Sequence, residues 1–137
     1  RLDTIQAAIL LEKLEIFDNE VELRNQIAHY YTKNISNEYQ KPFVPKGYLS
    51  SWAQYSLLAK SYSHRSKIMA SLKKANIPSM VYYKTPLHLQ KVFKFLGYRE
   101  GQFPIAEDCA KRVFSLPMHP YLEIADQNKI IEVLNNE

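Results

Sequence analysis

Leu2, Ile5 and Ile9 recur at helical spacing, and Leu10, Leu14, Phe17 and Val21 continue the series. The run Ala7-Ala8-Ile9-Leu10-Leu11 adds high helix propensity to that spacing. Asp18 marks a bend or caps a new turn, after which Leu23, Ile27, Tyr30 and Tyr31 carry the pattern on. One long helix, or two nearly collinear ones, is predicted over residues 3–34. Its apolar coverage is wide at the N-terminal end, and a helix apolar around most of its surface needs cover on several sides.

Pro42, Pro45 and Gly47 then mark a loop. Trp52 to Lys60 reads as a strand, with Trp52, Tyr55, Leu57 and Leu58 as its bulk. Ser63 is a plausible N-cap for a helix over about 64–75, which turns Ile68, Met69 and Leu72 inward. Asn76-Ile77-Pro78 ends that helix, and Met80–Tyr83 reads as a second strand. Leu89 to Leu96 predicts a short helix closed by Gly97. Pro104 suits the first turn of a helix reaching about Val113. Phe114-Ser115-Leu116 reads as a third strand bounded by Pro117, and Ala125 to Leu134 as a last helix burying Ile130, Ile131 and Leu134. The order predicts an α+β domain over residues 1–137: a long N-terminal helix followed by a small sheet of about three strands packed with helices.

Composition narrows the function classes. Three glycines and seven prolines in 137 residues, with 46% hydrophobic residues, point to a folded domain with a modest core. The net charge of +4 comes from lysines and arginines interleaved with acids, so no basic groove for nucleic acid is visible. Cys109 is the only cysteine, which excludes an internal disulfide. No apolar run reaches the length of a membrane span and no signal peptide is visible, so a reducing, cytoplasmic setting is expected. The chain lacks an initiator Met, and its helical pattern starts at once, which leads us to expect a piece of a longer protein.

The densest candidate chemistry is VYYKTPLHLQ, Val81 to Gln90. Two tyrosines, a lysine and a histidine gather around a proline turn at the end of a predicted strand, where binding sites are commonly built. From the segment alone the tyrosines suit better the edge of a core, with hydroxyls reaching water. His29, His64, His88 and His119 are too dispersed for a paired metal motif. Cys109 falls within the apolar spacing of a helix and is expected to be buried and inert. Glu107 and Asp108 sit in a first helical turn, where acids balance the dipole. Neither GxGxxG nor a Walker loop is present.

Three segments taken together, RLDTIQAAILLEKL at 1–14, VYYKTPLHLQ at 81–90 and FPIAEDCAKRVFSLPMHPYL at 103–122, resemble the DegT/DnrJ/EryC1/StrS family, pyridoxal-phosphate-dependent aminotransferases acting on nucleotide-linked keto-sugars. Trp52-Ala53-Gln54-Tyr55 falls where that family has a similar aromatic strand. The resemblance covers essentially the whole chain and implies the C-terminal small domain of a fold-type-I aminotransferase. Cofactor binding and the cofactor's lysine would lie in a larger N-terminal domain, so the chain alone is expected to be inactive and to hold no cofactor. The implied substrate-binding residues are Arg1, Tyr82, Tyr83 and His88, with no catalytic, cofactor or metal residue. The family's His-Tyr-Pro reads Tyr82-Tyr83-Lys84 here: Tyr83 matches the tyrosine, Tyr82 replaces the histidine and Lys84 the proline. His88 matches the histidine of the family's Pro-Leu-His, where it contacts substrate or holds the turn through a backbone hydrogen bond. The implied partners are a nucleotide-linked keto-sugar, glutamate as amino donor, and a second subunit in a homodimer, with neither nucleic acid nor membrane. A stand-alone interaction domain without enzymatic activity remains the alternative.

Overall fold

The computed structural model describes residues 2–137. Helix α1 runs unbroken over Thr4–Asn34, and the side chain of its N-cap, Asp3, accepts a 2.9 Å hydrogen bond from the Gln6 amide. At 1.5 Å per residue the helix is about 46 Å long. Only its C-terminal part enters the core, through Ile27, Ala28 and Tyr31. Leu2, Ile5, Ile9, Leu10, Leu11, Leu14 and Phe17 are exposed. Between the two regions Glu20 braces the rod: its carboxylate accepts from the Tyr121 hydroxyl at 2.6 Å and from Lys13 Nζ at 2.9 Å.

The remaining regular elements are β1 (Tyr55–Leu58), α2 (Tyr62–Lys74), α3 (Pro104–Arg112), β2 (Val113–Leu116) and α4 (Ile124–Asn135), with two 3-10 turns at Leu87–Leu89 and Lys91–Leu96. β1 and β2 pair antiparallel, Tyr55 opposite Leu116 and Leu57 opposite Phe114. These four side chains share one face and are buried. The other face carries Ser56 and Ser115, whose hydroxyls meet at 2.8 Å. A two-stranded ribbon is marginal by itself in water. Here Ile27, Ala28 and Tyr31 of α1, Ile68 and Leu72 of α2, and Ile130, Ile131 and Leu134 of α4 join its apolar face in one core.

Three tyrosines enter that core and each phenol keeps a partner. Tyr31 donates to the Pro117 carbonyl at 3.2 Å and Tyr39 to the Leu134 carbonyl at 2.8 Å. Thr32 Oγ1 donates its proton to the Ala28 carbonyl, so the Tyr55 hydroxyl, 2.8 Å away, is the donor in their pair.

The α+β architecture stands, with the sheet reduced to two strands. Met80–Tyr83 does not form a third: Met80 alone exchanges two hydrogen bonds with Ser115, at 2.7 and 3.2 Å, and the chain then turns away. β-propensity needs a partner strand to act on, and β2 is only four residues long. The Trp52–Lys60 strand shrinks to Tyr55–Leu58 because Trp52 takes a left-handed backbone (φ 48) and donates its indole N–H to Asn25 Oδ1 at 2.9 Å. The cap of α2 is Ser61 instead of Ser63, accepting from the His64 amide at 3.1 Å. Leu89–Leu96 forms 3-10 turns and not an α-helix.

Two measurements probe this core and its uncovered helix. Burial pushes the Tyr39 phenol from its ordinary 10.0 up to about 12, and moves Tyr31 and Tyr55 upward as well. Below pH 10 both folded and unfolded chains hold these protons. Between 10 and 12 the unfolded chain releases them first, so stability falls as pH rises. The urea midpoint is expected to drop steadily from pH 9.5 to 11.5, and less steeply in Tyr39→Phe; equal slopes would show that this phenol does not hold its proton on folding. The exposed apolar stretch of α1 is expected to drive self-association, since apolar patches beyond a few hundred Å² commonly find a partner. Light scattering across a concentration series checks this, a monomer at every concentration being the contrary result.

Candidate functional site

The segment from Val81 to Phe103 consists of turns, and Gly97 (φ 75) closes the second 3-10 turn in a left-handed conformation. It folds back over the N-terminal half of α3, where Pro104 occupies the first turn, a position at which its missing N–H costs the helix no hydrogen bond. Between segment and helix lies an open, largely apolar cavity of about 490 Å³. Tyr82, Tyr83, Thr85, His88, Phe103 and Cys109 are on its wall. Three of the four sequence-derived site residues thus come together; Arg1 lies outside the described residues. The rings of Tyr82 and Tyr83 meet edge to face with centroids 5.8 Å apart. Tyr83 is 69% exposed, so of the two readings of the tyrosines the core-edge one does not describe it.

Tyr83, Thr85 and Gln90 also border a second, shallower cavity that includes Lys84 and Lys91. These three residues form the shared wall between an apolar hollow and one that carries two lysines.

Among the described residues the His88 ring makes no hydrogen bond to the main chain. Its Nε2 lies 3.0 Å from Glu107 Oε1, and both side chains are 8% exposed. The Gly101 amide donates to both oxygens of Glu107, at 2.9 and 3.0 Å, and the Phe103 amide donates at 3.3 Å. Gly101 presents its amide from a φ of 90, a conformation that a Cβ would strain. The Gly101 amide first, then the Phe103 amide and the His88 ring, hold the Glu107 carboxyl below its ordinary 4.5 against the opposing effect of burial. Glu107 is thus a loop anchor, where the sequence suggests a dipole-balancing acid. Asp108 remains on the surface, paired with Arg112 one turn on. Cys109 corrects the expectation of a buried, inert thiol: it is half-buried and lines the cavity.

The roles of Glu107 and Phe103 escape sequence reasoning because their partners are distant or on the main chain. The local signal is Gly101-x-Phe103-Pro104 with an acid four residues past the aromatic. Among the described residues no three His, Cys, Asp or Glu side chains cluster as metal ligands. No helix there is long and apolar enough to cross a membrane.

Comparison with known proteins extends the picture. The sequence model of the DegT/DnrJ/EryC1/StrS aminotransferase family matches residues 1–135. A UDP-2-acetamido-2-deoxy-3-oxo-D-glucuronate aminotransferase of Pseudomonas aeruginosa is 39% identical over 137 residues, covering 99% of this chain and 36% of the relative. A pleiotropic regulatory protein of Geobacillus stearothermophilus is 42% identical over 136 residues, covering 96% and 36%. A crystal structure of a DegT DnrJ EryC1 StrS aminotransferase from Brucella abortus superposes with a TM-score of 0.91 at 46% identity, over 99% of this chain and 36% of that one. The chain thus spans about a third of the length of the proteins it matches.

The Glu107 anchor carries a pH signature. A carboxylate whose folded value is depressed contributes stability that is present above its ordinary 4.5 and lost as pH falls through the folded value. The amide resonances of Gly101 and Phe103 are expected to shift together only below pH 4.5, and their hydrogen-exchange protection to fall in the same window. In Glu107→Gln both transitions disappear. A midpoint at or above 4.5 would show that the amides do not stabilise the ionised form.

Proposed function

The chain belongs to the DegT/DnrJ/EryC1/StrS aminotransferase family, and from that membership we propose that it is the C-terminal small domain of a nucleotide-sugar aminotransferase. In this reading it supplies one wall of the sugar-nucleotide site and part of a homodimer contact, and has no transaminase activity alone. The larger remainder of the enzyme binds pyridoxal phosphate and takes the amino group from glutamate.

One observation carries the reading: Tyr82, Tyr83 and His88, singled out for substrate, line a single cavity. Its chemistry suits the role. Aromatic and apolar walls with a few polar groups are usual for small-molecule sites, and Lys84 and Lys91 next door place positive charge where an anionic nucleotide would extend. The Pseudomonas aeruginosa relative is a UDP-sugar aminotransferase by name, which supports a nucleotide-linked substrate. The exposed apolar stretch of α1 supports a covering surface elsewhere in the enzyme or its second subunit.

The cavity does not suit the cofactor itself. Pyridoxal phosphate calls for a lysine at its aldehyde and an acidic or guanidinium partner at its ring nitrogen. No lysine lines the 490 Å³ cavity. The nearby acid, Glu107, is committed to His88 and two amides. Within the enzyme this domain's residues bind and orient the sugar nucleotide and screen it from water.

In the longer enzyme, Tyr83→Phe is expected to weaken sugar-nucleotide binding by about 0.5–1.5 kcal/mol, the value of one hydrogen bond, and to leave the cofactor's absorbance unchanged. A spectral change with substrate affinity intact would remove Tyr83 from the substrate wall.

A further inference from the structure

Four hydrogen-bonding contacts converge on the Glu107 carboxylate behind the cavity wall. Two backbone amides donate to it whatever His88 does. A carboxylate so placed is ionised, accepts only and has no proton to offer. The His88 Nε2, at 3.0 Å, must then be the donor. A neutral imidazole has one N–H, so with the proton on Nε2 the other nitrogen is left as an acceptor. His88 Nδ1 has no hydrogen-bond partner among the described residues and is not sealed from solvent. The ring stands on the cavity wall. It is also packed against Phe103, with centroids 4.7 Å apart, and the Phe103 amide is bound to the same carboxylate.

We propose that Glu107 is a positioning residue that fixes His88 as the Nε2–H tautomer, so that Nδ1 offers the cavity a hydrogen-bond acceptor for a hydroxyl or amide N–H of the ligand. The ligand half of this inference rests on the reading of the cavity as a sugar-nucleotide wall. Sugars supply such donors at their ring hydroxyls and at acetamido nitrogens. A site built to accept from a hydroxyl discriminates against the analogue that lacks it, because the acceptor is then left unpaired. Glu107 thus sets specificity without touching substrate, and a mere loop anchor would have no need of a single tautomer.

Long-range ¹H–¹⁵N correlation spectra of the full chain at pH 8 test the first half. The expected pattern for His88 is a protonated Nε2 and a bare Nδ1; an Nδ1–H form, a rapidly exchanging mixture or an imidazolium overturns the inference. In Glu107→Ala, which removes the acceptor, His88 is expected to lose its single-tautomer pattern. If that variant does not fold, the wild-type spectrum still decides. The second half is read in the longer enzyme with His88→Gln, whose amide nitrogen can still donate to Glu107 while its oxygen no longer stands at the Nδ1 position. KM for the sugar nucleotide is expected to rise about 3- to 10-fold, the loss of one hydrogen bond, with kcat within about twofold and the cofactor's absorbance intact. A purely structural pair predicts wild-type KM for this variant. An unchanged KM in His88→Gln beside a raised KM in Tyr83→Phe overturns the inference and leaves the cavity reading standing. Unchanged KM in both variants removes the cavity reading, and the ligand half of the inference falls with it.

Discussion

Burial of one face of a two-stranded ribbon is the constraint on which this molecule depends. Four residues per strand offer too little hydrogen bonding to persist in water, so Tyr55, Leu57, Phe114 and Leu116 hold together only because helices cover them. The covering is specific as well as apolar. The phenols of Tyr31, Tyr39 and Tyr55 must end at the Pro117 carbonyl, the Leu134 carbonyl and Thr32. A slip of α1 or α4 along the ribbon would strand those hydroxyls unpaired in the interior, at about 1–3 kcal/mol each. Hydrophobic burial supplies the drive, and the three hydroxyls select one arrangement.

From this core the site is reached through α3. Helix and strand β2 are continuous, and two cross-ties lock their junction: Arg65 Nη1 donates to the Ala110 carbonyl at 2.8 Å, and Arg112 Nη1 to the Ala59 carbonyl at 2.9 Å. The floor of the cavity thus inherits the rigidity of the core. Its wall does not. Apart from the His88 side chain, nothing from Val81 to Phe103 is buried. The segment is fixed at one end by the Met80–Ser115 bridge and at the other by Glu107. Few buried contacts and many exposed backbone groups place it at the low-stability end of the fold. Much of the wall's shape therefore rests with one carboxylate.

What the sequence disclosed follows the same division. Helices α1, α2, α3 and α4 were legible because their signals are local: periodic Leu and Ile, and Pro104 in a first turn. Strand β2 was legible from Phe114 to Leu116 because Pro117 bounds it. Val81, Tyr82 and Tyr83 have strand propensity as strong, yet they form none, since pairing depends on a neighbour that local sequence does not describe. Residues 89–96 carry helical spacing, but α-geometry there has no core to bury against, and tighter turns result. The clustering of Tyr82, Tyr83 and His88 was visible through their closeness in sequence. The role of Glu107 was hidden, because its partners include main-chain amides of a loop and a histidine 19 residues away.

The long helix has a mechanical consequence. Held by the core near Ile27–Tyr31 and braced at Glu20 by Tyr121, it projects as a cantilever from there back to Thr4, about 24 Å at 1.5 Å per residue. A cantilever converts angle into displacement: a tilt of about 10° at the brace carries the free end about 4 Å. A bend at the brace that leaves Ile27 and Tyr31 seated in the core would therefore move the apolar tip by roughly the width of a methyl group. Whatever surface receives that tip fixes the attitude of the entire ribbon, and with it the direction in which the mouth of the cavity opens.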